Sequence, residues 1–308
     1  MRKVFIIIIS LVALFSSLSI VTAYAEVDNY PKMVVAFGDS ITFGYTVDGN
    51  SYAKIYCDEK GYTLNNYAQV GMTSAQLLEL LETDLDYSDA SEILLWIGAN
   101  DLLQTVTMYA TEKGIDYNNI TYEDVTIIKN AINSSEFRAA MQNAVANFEV
   151  NLVKIINDIK QRSAGKIFLF TQYNPYNGVN IVMPSTGESL NLGLITEEWI
   201  EKINIVITSL DGAKIVDTFF IIEDTEEKCV NAEINVLTNS FDFDPHLNSK
   251  GHEMVYKSLL NSHEEKNDSQ NSNQTESIYI IIIVSSLLML SAIVFFISIR
   301  RKKRISEK

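Results

Sequence analysis

The chain has 308 residues, of which 47% are hydrophobic and 20% charged, and its formal net charge at pH 7 is −15. Between residue 4 and residue 299, 16 Lys and Arg stand against 38 Asp and Glu, so this part of the chain carries a charge of −22. Nucleic acids and anionic lipid headgroups are bound through cationic patches, so this charge disfavours both as partners.

The N-terminal segment has the pattern of a secretory signal. Arg2 and Lys3 precede an uncharged apolar run over residues 4–20, which is followed by the small-residue pattern Ala23-Tyr24-Ala25. This order predicts a signal peptide over residues 1–25 that is cleaved after Ala25. An uncleaved anchor helix is the alternative, and both interpretations place the rest of the chain outside the cell.

Residues 26–261 form the body of the chain, which is long enough for one domain with its own core. Short apolar runs predict buried strands over residues 33–37, 93–97, 167–171 and 214–216. Helical patterns cover residues 74–81, 139–159, 197–210 and 249–260. Strands that alternate with helices predict a parallel sheet covered on both faces, an α/β/α sandwich. Residues 102–135, rich in Tyr, Thr and Asn, are interpreted as an insertion that could roof the site.

The C-terminal segments predict a membrane tether. Residues 262–277 are polar and lack aliphatic and aromatic side chains, which is typical of a flexible stalk. Residues 278–299 contain no charge and are long enough to form a transmembrane helix. The tail over residues 300–308 begins with five consecutive cations and is expected in the cytoplasm. The body would then face outward as a single-pass membrane protein, an arrangement that suits the surface of a Gram-positive bacterium.

Candidate catalytic residues follow the predicted strands, because reactive groups of parallel sheets gather in loops at the carboxyl ends of the strands. Ser40 follows the first strand in Phe37-Gly38-Asp39-Ser40, where a glycine permits a sharp turn. A serine hydrolase also needs a base. His263 falls in the predicted stalk and His252 in the last helix, whereas His246 lies in the turn before that helix. His246 is therefore the candidate base, although a histidine there could also only cap the helix.

Candidate hydrogen-bond donors occur in two further turns. Gly71 precedes the helix over residues 74–81 and could offer its backbone N–H, and Asn100 follows the second predicted strand and could offer its side-chain amide. Such donors could stabilise the oxyanion formed during acyl transfer. Each residue alone would also suit an ordinary turn or helix cap.

Taken in order, these motifs resemble the four blocks of the SGNH/GDSL hydrolase family. The blocks are Gly38-Asp39-Ser40, the glycine at 71, Gly98-Ala99-Asn100-Asp101 and the late histidine at 246. The resemblance implies a flavodoxin-like α/β sandwich with Ser40 as nucleophile and His246 as base. It also implies an oxyanion hole made by the Ser40 N–H, the Gly71 N–H and the Asn100 side chain, and no metal or cofactor.

One position departs from the family pattern. The family commonly has Asp three residues before the histidine, where this chain has Phe243. Asp244 is our first candidate for the orienting carboxylate, Asp242 is the reserve, and a backbone carbonyl is a third possibility. A metal site formed by Asp242, Asp244 and His246 is a less favoured interpretation, because no second ligand cluster accompanies these residues.

The sequence thus predicts an extracellular serine esterase or lipase that forms an acyl-enzyme on Ser40. Acetylated surface glycans and lysolipids or other short-acyl esters are the expected substrates. A non-catalytic surface module that binds glycan or protein, and an acyltransferase on the same scaffold, are the alternatives. Cys57 and Cys229 are the only cysteines, and their spacing does not decide between a disulfide and two free thiols.

Overall fold

The computed structural model describes residues 31–115, 124–182, 187–223, 227–235, 240–242 and 244–263. The predicted signal peptide, transmembrane helix and basic tail lie outside these ranges, as does the predicted stalk beyond residue 263. The elements in chain order are β1 Met33–Gly38, α1 Ser40–Phe43, α2 Tyr52–Lys60, β2 Thr63–Asn66, α3 Ser74–Leu81, β3 Glu92–Trp96, α4 Ala99–Glu112, α5 Asp124–Ile132, α6 Ser135–Arg162, β4 Lys166–Phe170, β5 Asn180–Val182, β6 Ser189–Asn191, α7 Leu192–Ser209, β7 Lys214–Val216, α8 Phe219–Glu223, β8 Glu233–Asn235, β9 Ser240–Asp242 and, over residues 249–263, α9.

A parallel sheet with the strand order β2-β1-β3-β4-β7 forms the centre of the fold. This is the flavodoxin-like order, in which the chain reverses its direction of winding between β1 and β3. The four predicted strands are β1, β3, β4 and β7, which confirms the α/β class and the parallel sheet. Ligands of such sheets bind at the carboxyl ends of the strands beside the reversal point. In the register, Gly38 at the end of β1 lies beside Trp96 at the end of β3.

Each face of the sheet is covered by its own hydrophobic core. Side chains alternate along β1, so that Val35 and Phe37 point to one face while Val34 and Ala36 point to the other. The first face packs against helices α3, α4, α6 and α7, and the second against α2 and α9. Both faces of the central part of the sheet are therefore covered, which is why β1, β3 and β4 are nearly continuous apolar runs.

The segment predicted as an insertion, residues 102–135, is largely helical where the structure describes it. Most of it lies in α4 and α5, and α4 begins three residues before the predicted start. Tyr109 of α4 is buried and makes an edge-to-face contact with Phe137 of α6. Helix α4 is thus part of the layer that covers the sheet. Residues 116–123, within the same segment, lie outside the described ranges.

Helix α9 extends beyond the predicted end of the domain. Ser262 and His263, which the composition assigns to the stalk, lie in this helix, and Ser262 is buried. The His263 Nε2 lies 3.0 Å from the hydroxyl of Tyr56 and 3.7 Å from a carboxylate oxygen of Glu92. Helix α9 therefore continues two residues into the segment predicted as the stalk. Across the described ranges, none of the helices has both the length and the apolar composition that a membrane span requires.

The two cysteines are separate free thiols. Cys57 in α2 and Cys229 are both buried on the side of the sheet that α9 covers. Burial raises the pKa of the Cys57 thiol to about 12 and also raises that of Cys229. Both thiols therefore stay protonated at neutral pH, which makes them poor nucleophiles.

Candidate active site

Ser40 is presented by a tight turn at the carboxyl end of β1. The turn requires glycine at position 38, because a Cβ there would lie 2.6 Å from the carbonyl oxygen of Trp96. Asp39 follows as the N-cap of α1 and accepts a hydrogen bond from the Ile41 N–H at 3.0 Å. Ser40 begins the helix and is 8% exposed. The hydroxyl is thus fixed at the edge of the sheet where ligands of this fold bind.

His246 reaches Ser40 from the segment that precedes α9. Its Nε2 lies 2.9 Å from the Ser40 Oγ. Three hydrogen bonds fix the backbone on either side of the imidazole: the Tyr173 hydroxyl donates to the Pro245 carbonyl at 2.6 Å, the Thr46 hydroxyl to the Leu247 carbonyl at 2.7 Å, and the Asn231 N–H to the His246 carbonyl at 2.9 Å. The imidazole is therefore held in place by several separate parts of the chain.

Asp244 supplies a carboxylate to the other nitrogen of this imidazole. Its Oδ1 is hydrogen-bonded to the His246 Nδ1 and also accepts from the His246 N–H at 3.1 Å. Its Oδ2 accepts from the Asn231 side-chain amide at 3.0 Å. With Asp244 at Nδ1, the tautomer protonated on Nδ1 leaves the Nε2 lone pair facing the serine. Phe243 in the family's usual aspartate position therefore does not deprive the histidine of a carboxylate.

The reserve candidate and the metal interpretation both involve Asp242. Asp242 ends β9, but its side chain is not among those described, so the structure gives no contact for it. Within the described part of the chain, no three His, Cys, Asp or Glu side chains come together as a metal-binding group.

The two predicted donor residues lie in loops that are clamped to each other. Gly71 adopts a φ of +78°, and its neighbour Met72 accepts a hydrogen bond through its carbonyl from the Asn100 Nδ2 at 3.1 Å. The same Nδ2 lies 3.2 Å from the Asp39 Oδ2. Asn100 therefore connects the glycine loop to the residue that precedes Ser40. Hydrogen bonds thus connect Asn100 to the turn of Ser40, and Ser40 to His246 and Asp244.

Asp101 reinforces this clamp, a role that the sequence alone did not suggest. Its carboxylate accepts from the Ser74 N–H at 2.9 Å and from the Ser74 hydroxyl, to which the Asn151 amide also donates at 3.0 Å. Helix α3, which follows the Gly71 loop, is thereby tied to α4 and α6. The signal was present in the sequence, because Asp101 belongs to the Gly-x-Asn-Asp block, but its partners lie 27 and more residues away.

The electrostatics of the site are dominated by burial. Asp39 is 3% exposed, and burial raises its pKa to about 6 despite the Ile41 N–H and the nearby His246, while Asp101 raises it further. Burial is also the main cause of the raised pKa of Asp101 itself. Burial likewise raises the pKa of Tyr173 well above its usual value, with contributions from Asp39 and Asp244. Asp39 and Asp101 thus place two buried carboxyl groups near Ser40, and desolvation disfavours the charged form of each.

The remaining histidines have structural surroundings. His252 is 1% exposed, accepts from the Tyr52 N–H through Nδ1 at 3.3 Å, and has its pKa lowered to about 4 by burial. His263 stacks on Tyr56 near Glu92, at the amino ends of the strands and away from the candidate site. Of the three imidazoles, His246 is the one that contacts the serine.

Comparison with known proteins gives this arrangement its context. A family model described as the GDSL-like Lipase/Acylhydrolase family matches residues 36–254. The chain belongs to the GDSL-like lipase/acylhydrolase family. It is accordingly a serine hydrolase that acts on carboxylic esters. The match begins in β1 and ends in α9, so it contains the serine, the histidine and both donor loops.

Two solved structures resemble the chain at low sequence identity. Phospholipase A1 from Streptomyces albidoflavus NA297 is 17% identical, with 76% of this chain and 99% of that chain covered and a TM-score of 0.52. The acetylxylan esterase Axe2 from Geobacillus stearothermophilus is 13% identical, with coverages of 75% and 93% and a TM-score of 0.47. No curated protein matches the sequence. The likeness to the phospholipase supports the fold of this GDSL-like hydrolase and leaves its substrate open.

Proposed function

We propose that the protein is an esterase in which Ser40 is the nucleophile, His246 the general base and Asp244 the orienting carboxylate. The observation that carries this proposal is the continuous hydrogen-bonded series from Asp244 through both imidazole nitrogens to the Ser40 Oγ, with 2.9 Å between Nε2 and Oγ. A serine hydroxyl is a weak nucleophile until a base removes its proton, and this arrangement provides the base and fixes its orientation.

The reaction proceeds in two acyl transfers. Ser40 Oγ attacks the ester carbonyl while its proton passes to the His246 Nε2. The resulting imidazolium, stabilised by Asp244, gives this proton to the departing alcohol as the ester C–O bond breaks. Water then attacks the acyl-enzyme, with His246 taking its proton and returning one to Ser40. The Ser40 N–H, the Gly71 N–H and the Asn100 amide would stabilise the oxyanion in both steps.

The test is hydrolysis of p-nitrophenyl acetate by the full-length chain in detergent. Ser40→Ala and His246→Ala should each reduce kcat by at least about 10³-fold, because an isolated nucleophile or base supports little turnover. Ser249→Ala, at an exposed serine close to His246 in the chain, and His263→Ala, at the opposite edge of the sheet, are the matched controls and should keep wild-type kcat. Undiminished turnover in Ser40→Ala would exclude this mechanism.

A fluorophosphonate probe distinguishes this proposal from a non-catalytic binding module. An activated serine reacts covalently with the probe, so the wild-type chain should be labelled and Ser40→Ala should not. A binding module would remain unlabelled in both forms. Product analysis with a competing sugar alcohol addresses the acyltransferase alternative, in which the acyl group would pass to the sugar in place of water.

We also propose that the enzyme acts outside the cell on a single C-terminal tether. The sequence supports this through the signal pattern of residues 1–25, the uncharged residues 278–299 and the five cations that follow them. Protease treatment of intact cells should remove the esterase domain and leave a membrane-embedded C-terminal fragment. Protection of the domain in intact cells would contradict this topology.

The position at which the tether leaves the domain affects which substrates the site can reach. His263 contacts Glu92, the first residue of β3, whereas Asn100 follows the carboxyl end of the same strand. At about 3.3 Å per residue, the five residues of β3 separate the amino ends of the strands from the carboxyl ends by roughly 16 Å. A tether that begins after His263 therefore starts at the amino ends of the strands, whereas the candidate site lies at their carboxyl ends. This favours acetylated surface glycans over lipids of the tethering membrane as substrates.

Reconstitution into vesicles tests this preference. The full-length chain should hydrolyse an acetylated oligosaccharide added in solution, and lysolipid in its own vesicles should be cleaved no faster than lysolipid in separate vesicles. Faster cleavage of lysolipid in the shared bilayer would instead assign the enzyme to membrane lipids.

A further inference from the structure

Asp39 makes one more contact than a helix cap requires. Its Oδ1 accepts from the Ile41 N–H at 3.0 Å, which is the ordinary role of an N-cap aspartate. Its Oδ2 is 3.2 Å from the Asn100 Nδ2, on a residue 61 positions further along the chain. Only the first contact stabilises α1. The second connects the turn that carries the nucleophile to a predicted oxyanion donor.

Asn100 is held on both sides of its amide nitrogen. The Nδ2 has two hydrogens, and the acceptors within reach are the Asp39 Oδ2 and the Met72 carbonyl oxygen at 3.1 Å. Rotation about the last torsion of an asparagine is otherwise broad, so the amide plane depends on such partners. With both acceptors in place, the Nδ2 is fixed between the nucleophile turn and the Gly71 loop.

The two acceptors differ in strength and in burial. Asp39 presents a carboxylate that is 3% exposed, and a hydrogen bond to a charged acceptor is roughly twice as strong as one between neutral groups. Met72 presents a neutral carbonyl next to Gly71, the other predicted donor of the oxyanion hole. The weaker bond is therefore the one that an incoming oxyanion can replace.

We propose that Asp39 is a positioning residue for ester hydrolysis, which holds the Asn100 side-chain amide so that one of its N–H groups is available to the oxyanion. The inference rests on the proposed function, because it needs Ser40 to form a tetrahedral intermediate. In that intermediate, the Asn100 amide keeps its hydrogen bond to Asp39. The other N–H, which donates to the Met72 carbonyl in the free enzyme, donates to the oxyanion instead. Asp39 itself touches neither the substrate nor the reacting atoms.

Three substitutions in the full-length chain separate this role from helix capping. Asp39→Ser keeps an N-cap acceptor for the Ile41 N–H but is too short to reach Asn100. Asp39→Asn keeps the shape and an oxygen acceptor. Asn100→Ala removes the donor, and loss of one oxyanion donor typically costs about 10²- to 10³-fold in kcat.

The expected kinetics with p-nitrophenyl acetate follow from these differences. Asp39→Ser should lower kcat by about 10- to 100-fold with little change in KM, because a mispositioned donor is lost mainly from the transition state. Asp39→Asn should recover most of this loss. In the Asn100→Ala background, Asp39→Ser should cause no further decrease, since residues that act as a unit are not additive.

Asp217 provides a matched control. It follows β7 as Asp39 follows β1, and its Oδ1 accepts from the N–H two residues ahead, on Phe219, at 3.1 Å. Asp217→Ser should therefore leave kcat unchanged.

Two results would overturn the inference. One is wild-type kcat in Asp39→Ser, and the other is a loss of kcat in the Asp39→Ser, Asn100→Ala double variant that equals the product of the two single losses. Should Asp39→Ser fail to fold, Asp39→Thr, which also keeps an N-cap acceptor but is too short to reach Asn100, replaces it. Wild-type kcat in Asp39→Thr, or an equal fold-loss of kcat with and without Asn100, would then overturn the inference. Failure of the proposed function itself is recognised separately, by activity in Ser40→Ala.

Discussion

The imidazole Nε2 of His246 lies 2.9 Å from the hydroxyl of Ser40 across 206 positions of the chain. The contact depends on elements far from either residue, since Tyr173 after β4 and Thr46 after α1 hold the backbone around the imidazole. Substitutions at such anchors should lower activity even though the anchors do not contact the substrate.

The first prediction concerns the orienting carboxylate. Asp244→Asn should reduce kcat by about 10²- to 10⁴-fold, because the amide cannot stabilise the imidazolium and favours the wrong tautomer. Asp242→Asn, at the reserve position, should leave kcat within about twofold of wild type, inside the range of a change at a non-participating site. Steady-state kinetics of the two variants side by side decide between them. The opposite pattern would make Asp242 the third member of the triad.

The second prediction concerns pH and stability. Burial raises the pKa of Asp39 from its usual 3.8 to about 6. The folded state thus holds this proton more tightly than the unfolded state, so between these two values the free energy of unfolding decreases as pH rises. The loss is complete above pH 6 and is on the order of 3 kcal/mol, since each pH unit between the two pKa values contributes about 1.4 kcal/mol.

Asp39→Asn has no charge to bury and should avoid this loss. The Tm of the variant minus the Tm of wild type should be larger at pH 8 than at pH 4. Most of this increase should develop between pH 4 and 6. Thermal unfolding across this range gives the comparison. If the Tm of wild type and variant had the same pH dependence, ionisation of Asp39 would have no cost in stability.

The third prediction compares two glycines with positive φ. Gly98 has a φ of +126° and no room for a side chain, because a Cβ there would lie 2.7 Å from the Phe148 ring. Gly98→Ala should therefore cost about 2–4 kcal/mol from strain and overpacking. Gly71 has a φ of +78° but nothing within 4 Å of a Cβ, so Gly71→Ala should cost only about 1 kcal/mol. Urea unfolding measures both, and equal losses would contradict the packing argument.

The fourth prediction concerns the clamp between the donor loops. Asp101→Ala removes the acceptor of the buried Ser74 N–H and hydroxyl, which should cost about 2–3 kcal/mol and also lower kcat as the Gly71 loop loosens. Asp158→Ala, which removes the acceptor of the Tyr87 hydroxyl at 2.8 Å, is the control away from the site. It should reduce stability while kcat is retained. Equal kcat in the two variants would mean that Asp101 is only structural.

The parts of the fold that were predictable are those with strong local patterns. The buried strands β1, β3, β4 and β7 are apolar runs because both faces of the sheet are covered. The edge strand β2 has the sequence Thr-Leu-Asn-Asn and is only half-buried, so neither alternation nor hydrophobicity marked it. Helix α4 lies in the segment interpreted as an insertion, where Thr and Tyr lower the helix propensity, and its contacts with α6 override that local preference.

The site was predictable where its residues belong to ordered motifs. Ser40, Gly71, Asn100 and His246 were found through their succession after strands and before helices, and the structure brings their loops together. The residues that support them were not found. Asn231 and Tyr173 act through contacts with Asp244 and Pro245, whose sequence separations of 13 and 72 follow no local rule. Such partners become visible only when the tertiary structure is known.

The long separation between nucleophile and base also sets the moment at which the enzyme becomes active. Ser40 belongs to the first strand–turn unit of the domain and His246 precedes its last helix, so a nascent chain shorter than 246 residues has the hydroxyl without its proton acceptor. Nascent chains and fragments that end before residue 246 lack this imidazole, and the proposed mechanism therefore predicts that they do not turn over esters.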